Sequence, residues 1–321
     1  MDSPSHPPRS QARQYTVGPE DAGQRIDNFL MRTFKNVPKS HVYKMLRGGE
    51  VRVNKGRIKA TYRLAAGDVV RLPPVRQEPA PAGGPGRAPV RRDLEDAILY
   101  EDPALLVINK PAGLAVHGGS GLSYGLIESL RAARPEAPFL ELVHRLDRDT
   151  SGCLIVAKKR SALRSLHEQL RLGQMDKHYL VLVRGAWRGG ARQVSTPLRK
   201  SVLRSGERMV QVDASGKEAA TRFVPLRAFP QASLLRAELD TGRTHQIRVH
   251  LQSIGHPVAG DDKYGDPDFN QRMASLGLKR LFLHAAHLNF MHPVKGERLL
   301  IDAGLPAELE KVLEHLEGGS A

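Results

Sequence analysis

The segment Leu142–Lys159, LVHRLDRDTSGCLIVAKK, has two unlike halves. The first crowds His144, Arg145, Asp147, Arg148 and Asp149 together. The second, CLIVAKK from Cys153 to Lys159, is short, apolar and β-branched, and reads as a buried strand. Further strands are expected at LLVINK (Leu105–Lys110), HYLVLVRG (His178–Gly185) and SLLRAELD (Ser233–Asp240). SALRSLHEQLRLG (Ser161–Gly173) has helical spacing, with Leu163, Leu166 and Leu170 facing inward. PAELEKVLEHLEGG (Pro306–Gly319) is a second helix. Pro306 suits its first turn, Leu309, Val312, Leu313 and Leu316 form its stripe, and Gly318 follows its end. Strands outnumber helices and cluster locally, so the fold class is α+β with mainly antiparallel pairing.

The acids of this segment sit in a basic chain. Its 321 residues carry 49 Lys and Arg against 34 Asp and Glu, a net charge of +15. That imbalance favours a polyanionic partner. A membrane surface would call for a basic amphipathic helix with a bulky apolar face, and none is evident. There is neither a leader-like apolar stretch near the start nor a run of about 18 apolar residues, so a cytoplasmic protein is expected. Cys153 is the sole cysteine, which excludes an intrachain disulfide, and it is expected to be a packed thiol.

Composition divides the chain. Residues 1–14 are polar and proline-rich and are expected to form a disordered tail. Residues 15–72 read as a small α+β unit. In it, RIDNFLMRTF (Arg25–Phe34) and VPKSHVYKMLRGGE (Val37–Glu50) are helical, and VRVN (Val51–Asn54) is a strand. RIKATYRLAAGDVVRLPP (Arg57–Pro74) should give two more strands around Ala66-Gly67-Asp68. Residues 73–92 are dense in proline and glycine and read as an extended linker. Residues 93–321 form the larger domain.

The small unit bears Arg25, Lys35, Lys39, Lys44 and Arg47, then Arg52, Lys55, Arg57 and Lys59. Between Arg25 and Lys59 the carboxylates are Asp27 and Glu50 alone. A surface so one-sided fits an RNA backbone.

In the larger domain the functional groups concentrate in HRLDRDTSG, in KHYLVLVRG with Tyr179, and in TGRTHQIRVHLQSIGHPVAGDDKYG (Thr241–Gly265). The last places His245, His250, His256, Asp261 and Asp262 close together. His245 and His250 are on opposite faces of a strand or roughly 140° apart on a helix, so no metal is expected. Gly121-Leu122-Ser123-Tyr124-Gly125 matches G-x-S-x-G, but the serine follows HGGSGL instead of a buried strand, as a nucleophile elbow requires. The remaining reading is a carboxylate that works on RNA. An acid beside phosphates is disfavoured unless a guanidinium within ~4–6 Å lowers its pKa by roughly 1–3 units. Neighbouring side chains of an extended segment point apart, so a distant partner for the acid is expected, Arg243 or Arg248. Spacing decides neither between these two nor between Asp147 and Asp149.

LLVINKPAGLAVHGG, HRLDRDTSGCLIVAKK, KHYLVLVRG and TGRTHQIRVHLQSIGHPVAGDDKYG together resemble the RluA-type RNA pseudouridine synthases. RIDNFL with VPKSHVYKMLRGGEVRVN and Gly67-Asp68 resembles the S4 RNA-binding domain. HGGSGLSYGLIESLR, KKRSALRSLHEQLR and GDDKYGDPDFN are most similar to the C branch acting on large-subunit ribosomal RNA, with the D branch the nearest alternative. The resemblance implies a small S4-type domain and a mainly antiparallel α+β catalytic domain. It implies Asp147 as catalytic aspartate, Arg248 as its ionic partner and Tyr179 as the motif tyrosine, with Asp149 structural. RNA contacts are expected at Arg25, Lys39, Lys44, Arg47, Lys55, Arg145, Arg243 and His245. The implied activity is isomerisation of extruded uridines in 23S ribosomal RNA, or in a large-subunit assembly intermediate, by a monomer without cofactor. The rival from another class is a non-catalytic ribosome-assembly factor.

Overall fold

The computed structural model describes residues 12–19, 21–34, 37–75, 89–118, 124–202 and 208–318. Most of the expected tail (1–11), the middle of the expected linker (76–88), Lys35, and Gly121 and Ser123 of the G-x-S-x-G match lie outside the described residues. The chain divides into two compact units, Met1–Gly86 and Arg87–Ala321.

The first unit contains β1 (Arg13–Thr16), α1 (Ile26–Thr33), α2 (Lys39–Gly48), β2 (Arg52–Val53) and β3 (Val69–Leu72). Its antiparallel sheet has the order β1-β3-β2. Ile26, Phe29 and Leu30 of α1 meet Val42, Met45 and Leu46 of α2 over Val53 and Val70, as their i, i+3, i+4 spacing dictates. Gly49 ends α2 in the left-handed region, φ 70°, its N–H bonding the Leu46 carbonyl.

Two expectations for this unit fail. β1 starts at Arg13, inside the stretch read as tail, because residues 13–16 pair with Val69–Leu72. Of the two strands expected around Ala66-Gly67-Asp68, only β3 forms. The preceding chain is held by a carboxylate instead of a ladder: buried Asp68 accepts from the Ala65 N–H, Asn54 Nδ2 and the Tyr62 hydroxyl.

The second unit opens with α3 (Asp93–Asp96), β4 (Ile98–Glu101), β5 (Leu105–Lys110), α4 (Leu126–Ala133), β6 (Glu141–Leu142), β7 (Ser151–Ala157) and α5 (Arg160–Arg171). β8 (Asp176–Arg184), β9 (Arg192–Val194), β10 (Leu198–Val202), β11 (Arg208–Val212), β12 (Thr221–Ala228) and β13 (Ala232–Leu239) follow. α6 (Gln246–Ser253), α7 (Pro267–Ser275), β14 (Leu283–Met291), β15 (Arg298–Asp302) and α8 (Ala307–Gly318) complete it. The main sheet runs β4-β5-β7-β14-β8-β13-β12-β9, with β6 beside β7 and β15 beside β14. Among the described residues only β7 and β14 pair in parallel. β10 and β11 form a separate ribbon.

The unbroken apolar runs of β5 and β7 follow from burial on both faces. Leu106, Ile108, Leu154 and Val156 face α4 and α6 through Leu126, Leu130, Ile247 and Leu251. Leu105, Val107, Cys153 and Ile155 face the other way, with Leu166 of α5 and Phe290. Gly152 fixes where β7 meets β14. It pairs with Ala285 and has φ 109°, and a Cβ there would lie 2.2 Å from the Ala285 oxygen. No other residue suits that backbone and that approach. The chain therefore turns from the charged segment into β7 at one fixed point of the sheet.

Candidate active site

Residues 143–150 form the loop between β6 and β7, and three buried or half-buried groups fix its backbone. His144 Nε2 accepts the Ile155 N–H at 3.2 Å. Burial pushes this imidazole down to about 3, so it stays neutral and remains an acceptor. Lys110, fully buried at the end of β5, donates to the carbonyls of Pro111, Leu114 and Arg148 at 2.9, 2.8 and 2.9 Å. Burial pushes its ammonium down to about 7, against the pull of Asp149 and Asp147. Arg280 donates to the Asp149 carbonyl and to Ser151 Oγ. Arg148 turns back onto Asp149, with Nε 3.1 Å from Oδ1. That corrects the expectation that neighbouring charges point apart: Arg148 and Asp149 occupy a turn, not an extended segment.

Asp147 is left with its side chain unspent. It is about one-fifth exposed, and no hydrogen bond reaches its carboxylate among the described residues. Two basic side chains stand near it: Arg248 Nη1 at 3.7 Å and His245 Nε2 at 3.9 Å from Oδ2. Of the two arginines left open by spacing, Arg248 is the one in ion-pair range. Its tighter partner is Asp261, which receives Nε and Nη2 at 2.7 Å each. The Asp261 side chain is fully buried, and its charge is favoured by Arg248 and by the N–H groups of Tyr264 and Lys263, which outweigh burial and hold it below the usual carboxylate range.

Tyr264 joins these groups. Its hydroxyl accepts the Val210 N–H at 2.9 Å and lies 2.8 Å from His245 Nδ1. Tyr264 thereby holds the imidazole by Nδ1 and leaves Nε2 facing Asp147. Burial also lowers the His245 pKa, which keeps the ring neutral. The Tyr264 ring lies 4.9 Å beneath the Arg248 guanidinium carbon. His245 sits in the left-handed region, φ 54°, at the start of α6. Buried Gln246 braces that bend, accepting from Thr241 Oγ1 and the Arg243 N–H and donating to Thr221 Oγ1 and the Ala220 carbonyl.

Tyr179 stands on β8 between Ala285 of β14 and Ala237 of β13. Paired residues share a face, so the two alanines leave room beside the ring. Burial and the charge of Asp147 both raise its pKa, and no hydrogen bond of its phenol is formed among the described residues. The cavity here measures about 100 Å³ and is lined by Asp147, Tyr179, Arg248, Arg145, Arg243 and His245, among others. Six of the residues singled out in the sequence thus converge.

Arg25, Lys39, Lys44, Arg47 and Lys55 belong to the first unit. All but Arg25 are exposed cations. Arg25 is tied to buried Asp27 by two bonds, from Nε at 3.1 Å and Nη2 at 2.6 Å. Its Nε and Nη2 serve the fold, while the side chain remains 39% exposed. Tyr264, Lys110 and Gln246 escaped the sequence reading, and Asp261 entered it only as a metal candidate. The density of GDDKYG was the one signal. The histidines weighed as metal ligands are engaged elsewhere: His250 with Thr221 and the Thr196 carbonyl, His256 with the Arg184 carbonyl. The Cys153 thiol is buried in β7, and burial pushes it up to about 12.

Residues 104–253 match the RNA pseudouridylate synthase family, and residues 24–70 match the S4 domain. A protein of Pasteurella multocida named ribosomal large subunit pseudouridine synthase C is 57% identical over 304 residues, 94% of this chain and 93% of its own. An Escherichia coli protein of the same name is 58% identical over 301 residues, 92% of this chain and 94% of its own. The structure of human RNA pseudouridylate synthase domain containing 4 superposes with a TM-score of 0.59 at 27% identity, covering 70% of this chain and 95% of that one. With such identity over nearly its whole length, the chain belongs to the RNA pseudouridylate synthase family and is a pseudouridine synthase with an S4 domain.

Proposed function

We propose that the enzyme converts uridines of 23S ribosomal RNA to pseudouridine, and that Asp147 is its catalytic residue. One observation carries this reading: a carboxylate at a cavity wall, facing Arg248 and His245 yet hydrogen-bonded by neither. Arg248 sets positive charge beside the carboxylate without consuming its lone pairs, because Asp261 holds the guanidinium back. The names of the relatives from Pasteurella multocida and Escherichia coli support large-subunit RNA as substrate and favour the C branch over the D branch.

A target base inside a stack cannot reach such a cavity, so the uridine is extruded, at a cost of roughly a few kcal/mol that is least in irregular RNA. Asp147 then attacks C1′ or C6, or takes the C2′ proton. The N1–C1′ bond breaks, the uracil turns, C5 bonds to C1′, and the C5 proton is lost while N1 gains one. Tyr179 stacks on the base, and its raised pKa keeps it a neutral phenol in the free enzyme.

Lys39, Lys44, Arg47 and Lys55 of the S4 unit supply grip along the RNA backbone. The enzyme acts as a cytoplasmic monomer; among the described residues no helix is long and apolar enough to cross a membrane. The test is to map pseudouridines in ribosomal RNA from a strain lacking the gene. Loss of specific 23S positions, restored by wild type and not by Asp147→Asn, supports the reading. An unchanged pseudouridine map refutes it.

A further inference from the structure

A second cleft, of about 440 Å³, opens beside the first and shares the wall Gly242-Arg243-Thr244 with it. That volume falls within the ~300–1,000 Å³ typical of small-ligand sites. Its remaining lining comes from the β10–β11 ribbon and the turn before β12: Leu198, Arg199, Lys200, Val210, Ser215, Gly216 and Lys217. The register pairs Lys200 with Val210 and Leu198 with Val212, which puts Lys200 on the face of Leu198 and Val210. That face packs on Val249 and Tyr264, next to the catalytic network.

The lining contains no acid. Arg199 is neutralised by Asp213, with Nε 2.8 Å from Oδ2. Lys200, Lys217 and Arg243 have no carboxylate partner among the described residues, although the Arg243 Nε is bonded to the Glu218 carbonyl. A cationic rim over an apolar floor fits a nucleotide better than an inorganic ion. The rim takes a phosphate, and the cleft behind it, closed below by buried Leu198 and Val210, has room for a nucleoside. Arg243 lines both clefts, so a chain whose uridine enters the first has a continuous wall into the second.

We propose that the second cleft is a subsite for the nucleotide adjoining the extruded uridine, held through its phosphodiester by Lys200, Lys217 and Arg243. This rests on the RNA-isomerising function above. The same ribbon is tied to the chemistry, because the Val210 N–H bonds Tyr264, which orders His245 beside Asp147. Occupancy of the subsite thereby bears on the ribbon that orders the site.

The experiment uses the full-length enzyme and a synthetic 23S hairpin containing a uridine that wild type modifies. Three hairpins are compared: all-phosphate, and methylphosphonate on the 5′ or on the 3′ side of the target. Wild type should show KM raised about 10- to 100-fold by one neutral linkage and not by the other, the size of a lost charged hydrogen bond. Lys200→Gln/Lys217→Gln should raise KM similarly on the all-phosphate hairpin. It should lower the salt slope of binding by about 0.7 for each phosphate no longer neutralised, and show no further loss on the sensitive methylphosphonate hairpin. Lys200→Arg/Lys217→Arg should restore the wild-type KM, which separates charge from folding. An active wild type indifferent to both neutral linkages, or losses that multiply in the double variant, would overturn the subsite alone. A wild type that modifies no 23S uridine would overturn the subsite and the proposed function together.

Discussion

Asp261 grips Arg248 through two 2.7 Å hydrogen bonds and leaves only its Nη1 turned to Asp147, at 3.7 Å. The buried pair therefore acts as a spacer: it brings positive charge near Asp147 while preventing a closed ion pair. Asp261→Asn should let the guanidinium swing onto Asp147 and occupy it. We expect kcat to fall about 10- to 100-fold, the usual cost of losing an outer-shell partner, and stability to fall about 3–5 kcal/mol, as when one member of a buried pair is removed. Steady-state kinetics with chemical denaturation checks both. Arg248→Lys should fail comparably in kcat, since an ammonium cannot make the two-pronged contact.

Tyr179→Phe should fold, because the ring fits between Ala237 and Ala285 without needing its hydroxyl. If the phenol takes part in proton transfer, kcat falls by about 10²–10⁴ while RNA affinity is kept. Single-turnover kinetics with a filter-binding assay distinguishes this from a purely stacking role, for which Phe would be nearly silent.

The S4 unit separates grip from fold. Lys44→Gln/Arg47→Gln should raise KM and lower the salt slope by about 0.7–0.9 for each phosphate that loses its cation, leaving melting unchanged. Arg25→Gln should lower the melting temperature, since it removes the cation paired with buried Asp27 and leaves only the Tyr43 hydroxyl and the Asn28 N–H on that carboxylate. Binding titrations at several salt concentrations, with thermal melts, check the pair.

Acid should weaken the fold before it touches carboxylates. The pKa values of His144, His178, His245, His250 and His284 are all lowered, chiefly by burial. For each, the unfolded chain gains a proton below about pH 6.5 while the folded chain does not. Stability is thus fully present above that pH and drops as pH falls, by up to about 1.4 kcal/mol per pH unit per histidine. His144→Gln keeps an acceptor for the Ile155 N–H and should flatten the slope between pH 6.5 and 5 by one proton. Urea midpoints across that range measure it.

The strands of the core were legible where burial on both faces leaves an apolar run, as in Leu105–Lys110. The last helix was legible because its stripe faces one core. α6 was not, since Gln246 and His250 are buried beside Ile247 and Leu251, so no polar face marks the helical period. In the site, Asp147, Tyr179 and Arg248 were legible through motif resemblance. The hold of Asp261 on Arg248, the stack on Tyr264 and the Lys110 tie to the Arg148 carbonyl depend on contacts between distant segments, which spacing does not encode.

The measurement closest to the central claim is tritium release from C5-labelled uridine in transcribed 23S ribosomal RNA, comparing wild type with Asp147→Asn at equal RNA occupancy. The account predicts stoichiometric release by wild type at specific uridines and none above background by the variant, which still binds. Release by Asp147→Asn at a rate near that of wild type would contradict it.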